Sequence, residues 1–233
     1  MCGSAAPTRP VSITPSILSA DFRVLEREVK DAEAAGADRI HCDVMDGMFV
    51  PNITFGPLVV EAVKKCVTIP LDVHLMIHEP GRYIDAFCRA GSDVVTVHAE
   101  ACDDVRGVID AIRSHGVRAG VCVNPDKPVS LFTQHLDRID QILIMTVYAG
   151  FGGQAFMPDM LAKIREVRDR CVVASCSPDI QVDGGIDNLT AGPCVEHGAN
   201  VLVAGSYIFA SGNYRERIEA LRHAAQRGRA TGR

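Results

Sequence analysis

Arg39-Ile-His-Cys-Asp-Val-Met-Asp-Gly-Met-Phe-Val-Pro-Asn52 reads as a strand that runs into a loop. Side chains alternate between the two faces of a strand, so residues two apart point the same way. Ile40 and Val44 mark a packing face, which Cys42 shares, while His41, Asp43 and Met45 share the other. An imidazole and a carboxylate would be costly in a plain apolar core. Leu71-Asp-Val-His-Leu-Met76 repeats the pattern, with Asp72, His74 and Met76 on one face. Two strands that each aim a histidine inward point to a metal ion.

Short apolar runs alternate with helical patterns along the rest of the chain. The expected strands are Ile13–Leu18, Arg39–Val44, Leu71–Leu75, Asp93–His98, Arg118–Val123, Gln141–Thr146, Ile180–Asp183 and Val201–Ala204. The expected helices run from Ser19 or Asp21 to about Ala35, then over Pro57–Cys66, Arg82–Ala90, Asp103–His115, Val129–Leu136, Pro158–Arg170, Leu189–Glu196 and about Tyr214 to Ala225. Glycines 36, 91, 116 and 198 stand where helices should stop. Near-continuous apolar strands such as Val94–Val97 suit a parallel sheet covered by helices. Eight β-α units at this length imply an α/β chain folded as a single-domain TIM (β/α)8 barrel over residues 11–225. Residues 1–10 read as a loose N-terminal tail and residues 226–233, with three arginines, as a solvated, frayed C-terminal one. A doubly wound sheet is disfavoured, since the first strand leads into Ser16-Ile-Leu-Ser-Ala-Asp21 without a glycine motif.

The net charge of −5 over 233 residues argues against a nucleic-acid or membrane-surface partner. There is no apolar run of bilayer length and no secretory h-region at the start. Nine scattered cysteines without a Cys-x-x-Cys read as structural thiols in a reducing cytoplasm.

A barrel of this kind does its chemistry at the C-terminal ends of its strands. The polar residues there are Ser16, His41, Asp43, His74, His98, Glu100, Asn124, Tyr148, Asp183 and Ser206. His41, Asp43, His74 and Asp183 form a sharp subset, and two imidazoles with two carboxylates suit one divalent ion such as Zn, Fe, Mn or Co. Three glycine loops mark a second feature: Gly150-Phe151-Gly152-Gly153, Gly184-Gly185 and Gly205-Ser206. Glycine lets backbone N–H groups approach an anion, and the loops after the last strands are the usual phosphate cradle of these barrels. A carboxylate on either side of a bound sugar phosphate suits two-base proton transfer, with a metal stabilising the enediolate. The expected reaction is inversion at a carbon next to a ketone. His98, Glu100 and Asn124 read either as hydrogen-bonded rim residues or as support for the ligands. Asp46 falls off the Asp43 face and is expected to shape the loop that follows.

From Pro15 to about Ile208 the chain resembles the ribulose-phosphate 3-epimerase family. The matching runs are Pro15-Ser-Ile-Leu-Ser-Ala-Asp-Phe22, His41 to Asn52, Leu71 to Met76, Gly150-Phe-Gly-Gly-Gln154, Val182-Asp-Gly-Gly185 and Val203-Ala-Gly-Ser206. The resemblance implies a TIM barrel that interconverts ribulose 5-phosphate and xylulose 5-phosphate through a 2,3-enediolate, in the pentose phosphate pathway. It implies His41, Asp43, His74 and Asp183 as metal ligands and Asp43 and Asp183 as the acid/base pair. Ser16, His74 and Asp183 would contact substrate, and Gly150, Phe151, Gly152, Gly153, Gly184, Gly185, Gly205 and Ser206 would cradle substrate and phosphate. Met45, Met76 and Met145 would line the catalytic face, and a homodimer or hexamer would fit. Two departures bear on the substrate. Tyr148-Ala149 stands where the family has an acidic residue or asparagine followed by proline, and Tyr207 stands where it has a small residue. A related ketose phosphate, such as allulose 6-phosphate or a tetrulose phosphate, therefore stays open. So do a metal-free phosphate-barrel lyase and a non-enzymatic sugar-phosphate binder. The lyases favour Asp-x-Lys-x-x-Asp on a strand, where this chain has Asp72-Val-His74.

Overall fold

A computed structural model describes residues 9–231. Its strands are β1 (Ser12–Pro15), β2 (Ile40–Met45), β3 (Leu71–Met76), β4 (Val94–His98), β5 (Arg118–Val123), β6 (Gln141–Met145), β7 (Asp179–Asp183) and β8 (Val201–Ala204). All pair in parallel, in the order β1-β8-β7-β6-β5-β4-β3-β2. The helices are α1 (Leu25–Ala34), α2 (Pro57–Lys64), α3 (Ile84–Arg89), α4 (Val105–Ser114), α5 (Met160–Val173), α6 (Ala191–His197), α7 (Ser206–Phe209) and α8 (Tyr214–Thr231). The ring closes between β1 and β2 through one backbone bridge, Ser16 to His41. The Asp38 N–H also donates to the Ile13 carbonyl there, at 2.9 Å. Among the described residues no helix is long and apolar enough to cross a membrane.

Strand alternation sorts the chain into two layers. Ile40, Cys42 and Val44 face outward into one apolar cluster, together with Val73, Val95, Ile142 and Val182. Their neighbours face the barrel axis and are polar: His41, Asp72, His74, Thr96, Gln141 and Gln181 are all fully buried. Buried polar groups need partners, and these supply one another. Gln141 Nε2 donates to Asp72 Oδ1 at 2.9 Å and to Gln181 Oε1 at 2.8 Å, and the Gln181 amide donates to Asp72. At the base of the barrel Arg39 and Arg118 each donate to Asp179 Oδ2 at 2.7 Å. Burial raises the Asp179 carboxyl, but these guanidiniums outweigh it and hold it well below the ordinary carboxylate range.

The structure departs from the sequence expectations in four places. The first strand ends at Pro15, not Leu18, because Ser16 caps a 3₁₀ turn over Ile17–Ser19 with its side chain. Val129–Leu136 is not an α-helix but part of two 3₁₀ segments, Val129–Leu131 and Thr133–Arg138. Its β-branched, aromatic and hydroxyl residues are poor helix formers, and short 3₁₀ turns suffice. The short helix α7 follows β8 where only a loop was expected. The final helix runs to Thr231 instead of about Ala225, so Gln226–Thr231 is not frayed. There Gly228 packs on the backbone of Gly192 in α6, and an added Cβ would lie 2.1 Å from the Gly192 carbonyl oxygen. Of the expected N-terminal tail, residues 1–8 lie outside the described residues, while Arg9 donates to Asp179 Oδ1 at 2.8 Å.

Gly228→Val should therefore destabilise the barrel by about 1–3 kcal/mol in urea denaturation, through overpacking at the α6–α8 contact. Asp179 supplies a pH-dependent term. Its lowered folded pKa adds stability above the unfolded carboxylate pKa of about 4, and that stability is lost as pH falls below it. Asp179→Asn should cost about 3 kcal/mol at neutral pH, with the gap to wild type narrowing in denaturation measured at successively lower pH.

Candidate active site

The C-terminal mouth of the barrel opens into a cavity of about 520 Å³, a size suited to a small ligand. Asp43 from β2 and Asp183 from β7 both line it, with Ser16, Met45, Met76 and Met145. His41 and His74 lie directly behind, fully buried. The β2–β3 register explains this placement: Asp43 pairs with His74, and His41 with Asp72. His74 is not among the lining residues and backs the carboxylates from the barrel interior.

Proton positions around His41 follow from its partners. Its Nδ1 lies 3.0 Å from Asp72 Oδ2. A carboxylate only accepts, so Nδ1–H donates and Nε2 is the nitrogen left for the cavity side; the Asp43 and Asp72 charges outweigh burial and raise His41 well above the ordinary imidazole range. That Nε2 is buried without a hydrogen-bond partner, 3.2 Å from Asp43 Oδ1 and 3.7 Å from Asp183 Oδ2. His74 Nδ1 lies 3.2 Å from the same Asp43 oxygen and 4.0 Å from Asp183 Oδ2. An orphaned nitrogen among two carboxylates and a second imidazole fits a borderline divalent cation. The four residues can present one ligand atom each within 4.8 Å of one another.

The two carboxylates sit in different electrostatic states. Burial would raise Asp43, but chiefly the neighbouring His41 outweighs it and holds the carboxyl below the usual range. Ser16 Oγ also donates to Asp43 Oδ2 at 2.5 Å. Asp183 lacks such donors. Burial and the neighbouring Asp43 charge push it up to about 7. Two adjacent carboxyls whose acidities are driven apart suit an acid and a base.

The glycine loops line the same cavity, with Gly150, Gly152, Gly153, Gly184, Gly185 and Gly205 beside Phe151 and Ser206. None of the N–H groups of Gly184, Gly185, Gly205 and Ser206 donates to a backbone acceptor among the described residues. Unpaired donors along a concave wall suit an anion. Gly185 is held at φ +64, and an added Cβ would lie 2.5 Å from the Phe156 nitrogen. The two unusual tyrosines, Tyr148 and Tyr207, also line this cavity. Asp46 accepts from the N–H groups of Met48, Phe49 and His78, and so shapes the loop after β2.

Sequence reading left His98, Glu100 and Asn124 without a role. The structure joins them to the ligand cluster. His74 Nε2 lies 2.9 Å from His98 Nε2, and His98 Nδ1 lies 3.2 Å from Glu100 Oε1. Asn124 donates to that same Glu100 oxygen from its backbone N–H at 2.9 Å and from Nδ2 at 3.0 Å. Asp72 was also unassigned. Its place two residues before His74 hid it, because only the pairing of β2 with β3 brings it to His41.

The ribulose-phosphate 3 epimerase family profile matches residues 12–209. A ribulose-phosphate 3-epimerase of Bacillus subtilis is 50% identical over 214 residues, covering 91% of this chain and 98% of that one. The Arabidopsis thaliana ribulose-5-phosphate-3-epimerase, chloroplastic, is 46% identical, over 91% of this chain and 76% of that one. The Escherichia coli ribulose-phosphate 3-epimerase is 42% identical, over 90% of this chain and 94% of that one. Among solved structures, 3-hexulose-6-phosphate synthase from Salmonella typhimurium superposes with a TM-score of 0.69 at 18% identity, covering 93% and 99% of the two chains. At that identity the likeness shows the barrel fold alone.

One measurement tests the electrostatic contrast. In chelator-treated protein, the Asp183 carboxyl should titrate near 7 by carbon-13 NMR. Asp43→Asn should lower that value, because the repelling charge is gone while burial remains.

Proposed function

The chain belongs to the ribulose-phosphate 3-epimerase family and is an epimerase, and we propose that it inverts C3 of D-ribulose 5-phosphate to give D-xylulose 5-phosphate by two-base proton transfer. The observation that carries this reading is the pair Asp43 and Asp183, which reach one cavity from different strands with their acidities driven apart. The C3 hydrogen is acidic because the C2 ketone can delocalise the resulting charge. Asp43, held ionised and oriented by Ser16, takes the proton from one face. Asp183, the carboxyl that burial and the Asp43 charge make the weaker acid of the two, returns one to the other face. In the reverse direction the two exchange roles. A divalent ion held by His41, Asp43, His74 and Asp183 would supply the positive charge that favours an enediolate. Met45, Met76 and Met145 exclude water from the reacting carbons without competing for protons. The glycine-loop N–H groups hold the phosphate, which fixes the sugar's register over the carboxylates.

Tyr148 and Tyr207 at the cavity wall favour a second substrate reading, a related ketose phosphate of different length. A panel of four-, five- and six-carbon ketose phosphates, each incubated in deuterated water with metal-replete enzyme, separates the two. We expect wash-in of deuterium at C3 with the five-carbon substrate. Absence of exchange with every ketose phosphate would sink the proposal. Asp43→Asn and Asp183→Asn should each lower kcat by roughly 10³-fold or more while the fold survives. Chelation should abolish turnover, and Zn, Fe, Mn or Co should restore it.

A further inference from the structure

Three groups are left over from the mechanism above: the buried His98 and the half-buried Glu100 and Asn124. His98 is fully buried, stacked on His74 with ring centroids 5.0 Å apart and tilted 20°. Stacking alone would need no particular proton arrangement. The hydrogen bonds impose one.

The order of protons is set from the Glu100 end. Glu100 Oε1 already accepts two N–H groups from Asn124. Those bonds and the one from His98 overcome burial and keep the carboxyl below its ordinary range. An ionised carboxylate can only accept, so the His98 Nδ1–H at 3.2 Å donates to it. A neutral His98 then carries its lone pair on Nε2. The contact of 2.9 Å to His74 Nε2 must be a donation from His74. His74 in turn keeps its lone pair on Nδ1, the nitrogen that faces Asp43 and Asp183. The opposite order would set the bare Nδ1 of His98 against the Glu100 carboxylate in a buried place, two acceptors with no proton between them. In the forward order the one unmatched contact is His74 Nδ1 against Asp43 Oδ1, where a cation would be shared.

We propose that Glu100 is a positioning residue which, acting through His98, locks His74 in the tautomer that leaves Nδ1 free to bind a metal. The inference rests on the reading of His74 as a ligand. It makes the two histidine arms complementary. His41 is oriented directly by Asp72 and presents Nε2; His74 is oriented at one remove by Glu100 and presents Nδ1. The carboxylate that orients His74 is thus held back from the cation by a whole imidazole, and adds less negative charge to the site than Asp72 does.

The test uses Glu100→Gln, which keeps the size of the side chain. Its amide oxygen takes the place of Oε1, where the Asn124 and His98 N–H groups converge, so His98 keeps an acceptor but loses the carboxylate charge, and the Asp43 carboxylate then draws the His74 proton to Nδ1. Zinc affinity of the metal-free enzyme, read by competition with a chromogenic chelator, should fall roughly 10–100-fold. Nitrogen-15 imidazole spectra of the metal-free protein should show the His74 proton on Nε2 in wild type and on Nδ1 in the variant. The KM for the sugar phosphate should change far less than kcat, since the glycine loops are untouched. Asn124→Ala keeps the Glu100–His98 contact and should leave zinc affinity within about twofold of wild type. Zinc affinity unchanged in Glu100→Gln, or the same His74 tautomer in both proteins, would overturn the proposal. If wild type itself binds no zinc, the metal-dependent function fails instead, and the tautomer spectra alone decide whether the relay exists.

Discussion

His41 Nε2, buried beside two carboxylates without a hydrogen-bond partner, is the constraint around which the barrel mouth is built. Two carboxylates so close together in a buried place repel each other. The arrangement persists because each member is held from behind. Asp72 grips His41 from the barrel axis, Gln141 and Gln181 grip Asp72, and Arg39 links Gln141 to Asp179 at the base. A continuous hydrogen-bonded column thus runs the length of the barrel and ends at its top in an unpartnered ring nitrogen beside two carboxylates. The frustration is local and sits where a cation and a substrate can relieve it.

The same column explains how one cavity holds two carboxyls with different habits. Asp43 lies in the path of the imidazoles and of Ser16, and its charge is favoured. Asp183 stands at the edge of the group, next to Asp43 but without a donor of its own, and its charge is resisted. Strand position creates the difference. The residues are chemically identical, and the register of β2 against β3 decides which one receives the hydrogen bonds.

Much of this was legible in the chain because strands alternate. The inward face of His41, Asp43 and Met45 could be read from parity alone, and eight β-α units implied the ring that brings Asp183 alongside. What parity could not supply was lateral register. Asp72 looked like a companion of His74, two residues away, yet it serves His41 on the neighbouring strand. Glu100 and Asn124 lay on different loops, and their shared contact depends on how the ends of β4 and β5 converge. The extension of α8 was hidden for another reason. A polar, arginine-rich end reads as solvated unless the glycine on the facing helix is known to leave room for it.

The closure between β1 and β2 has a further consequence. It rests on the bridge from Ser16 to His41 and on the hydrogen bond from Asp38 to Ile13, and the Ser16 side chain also donates to Asp43. The clasp of the barrel therefore shares a residue with the contacts of the reactive group. Whatever binds in the cavity and holds Asp43 and His41 therefore also bears on the seam that closes the ring, so filling the site stabilises the barrel at its one weakly paired junction.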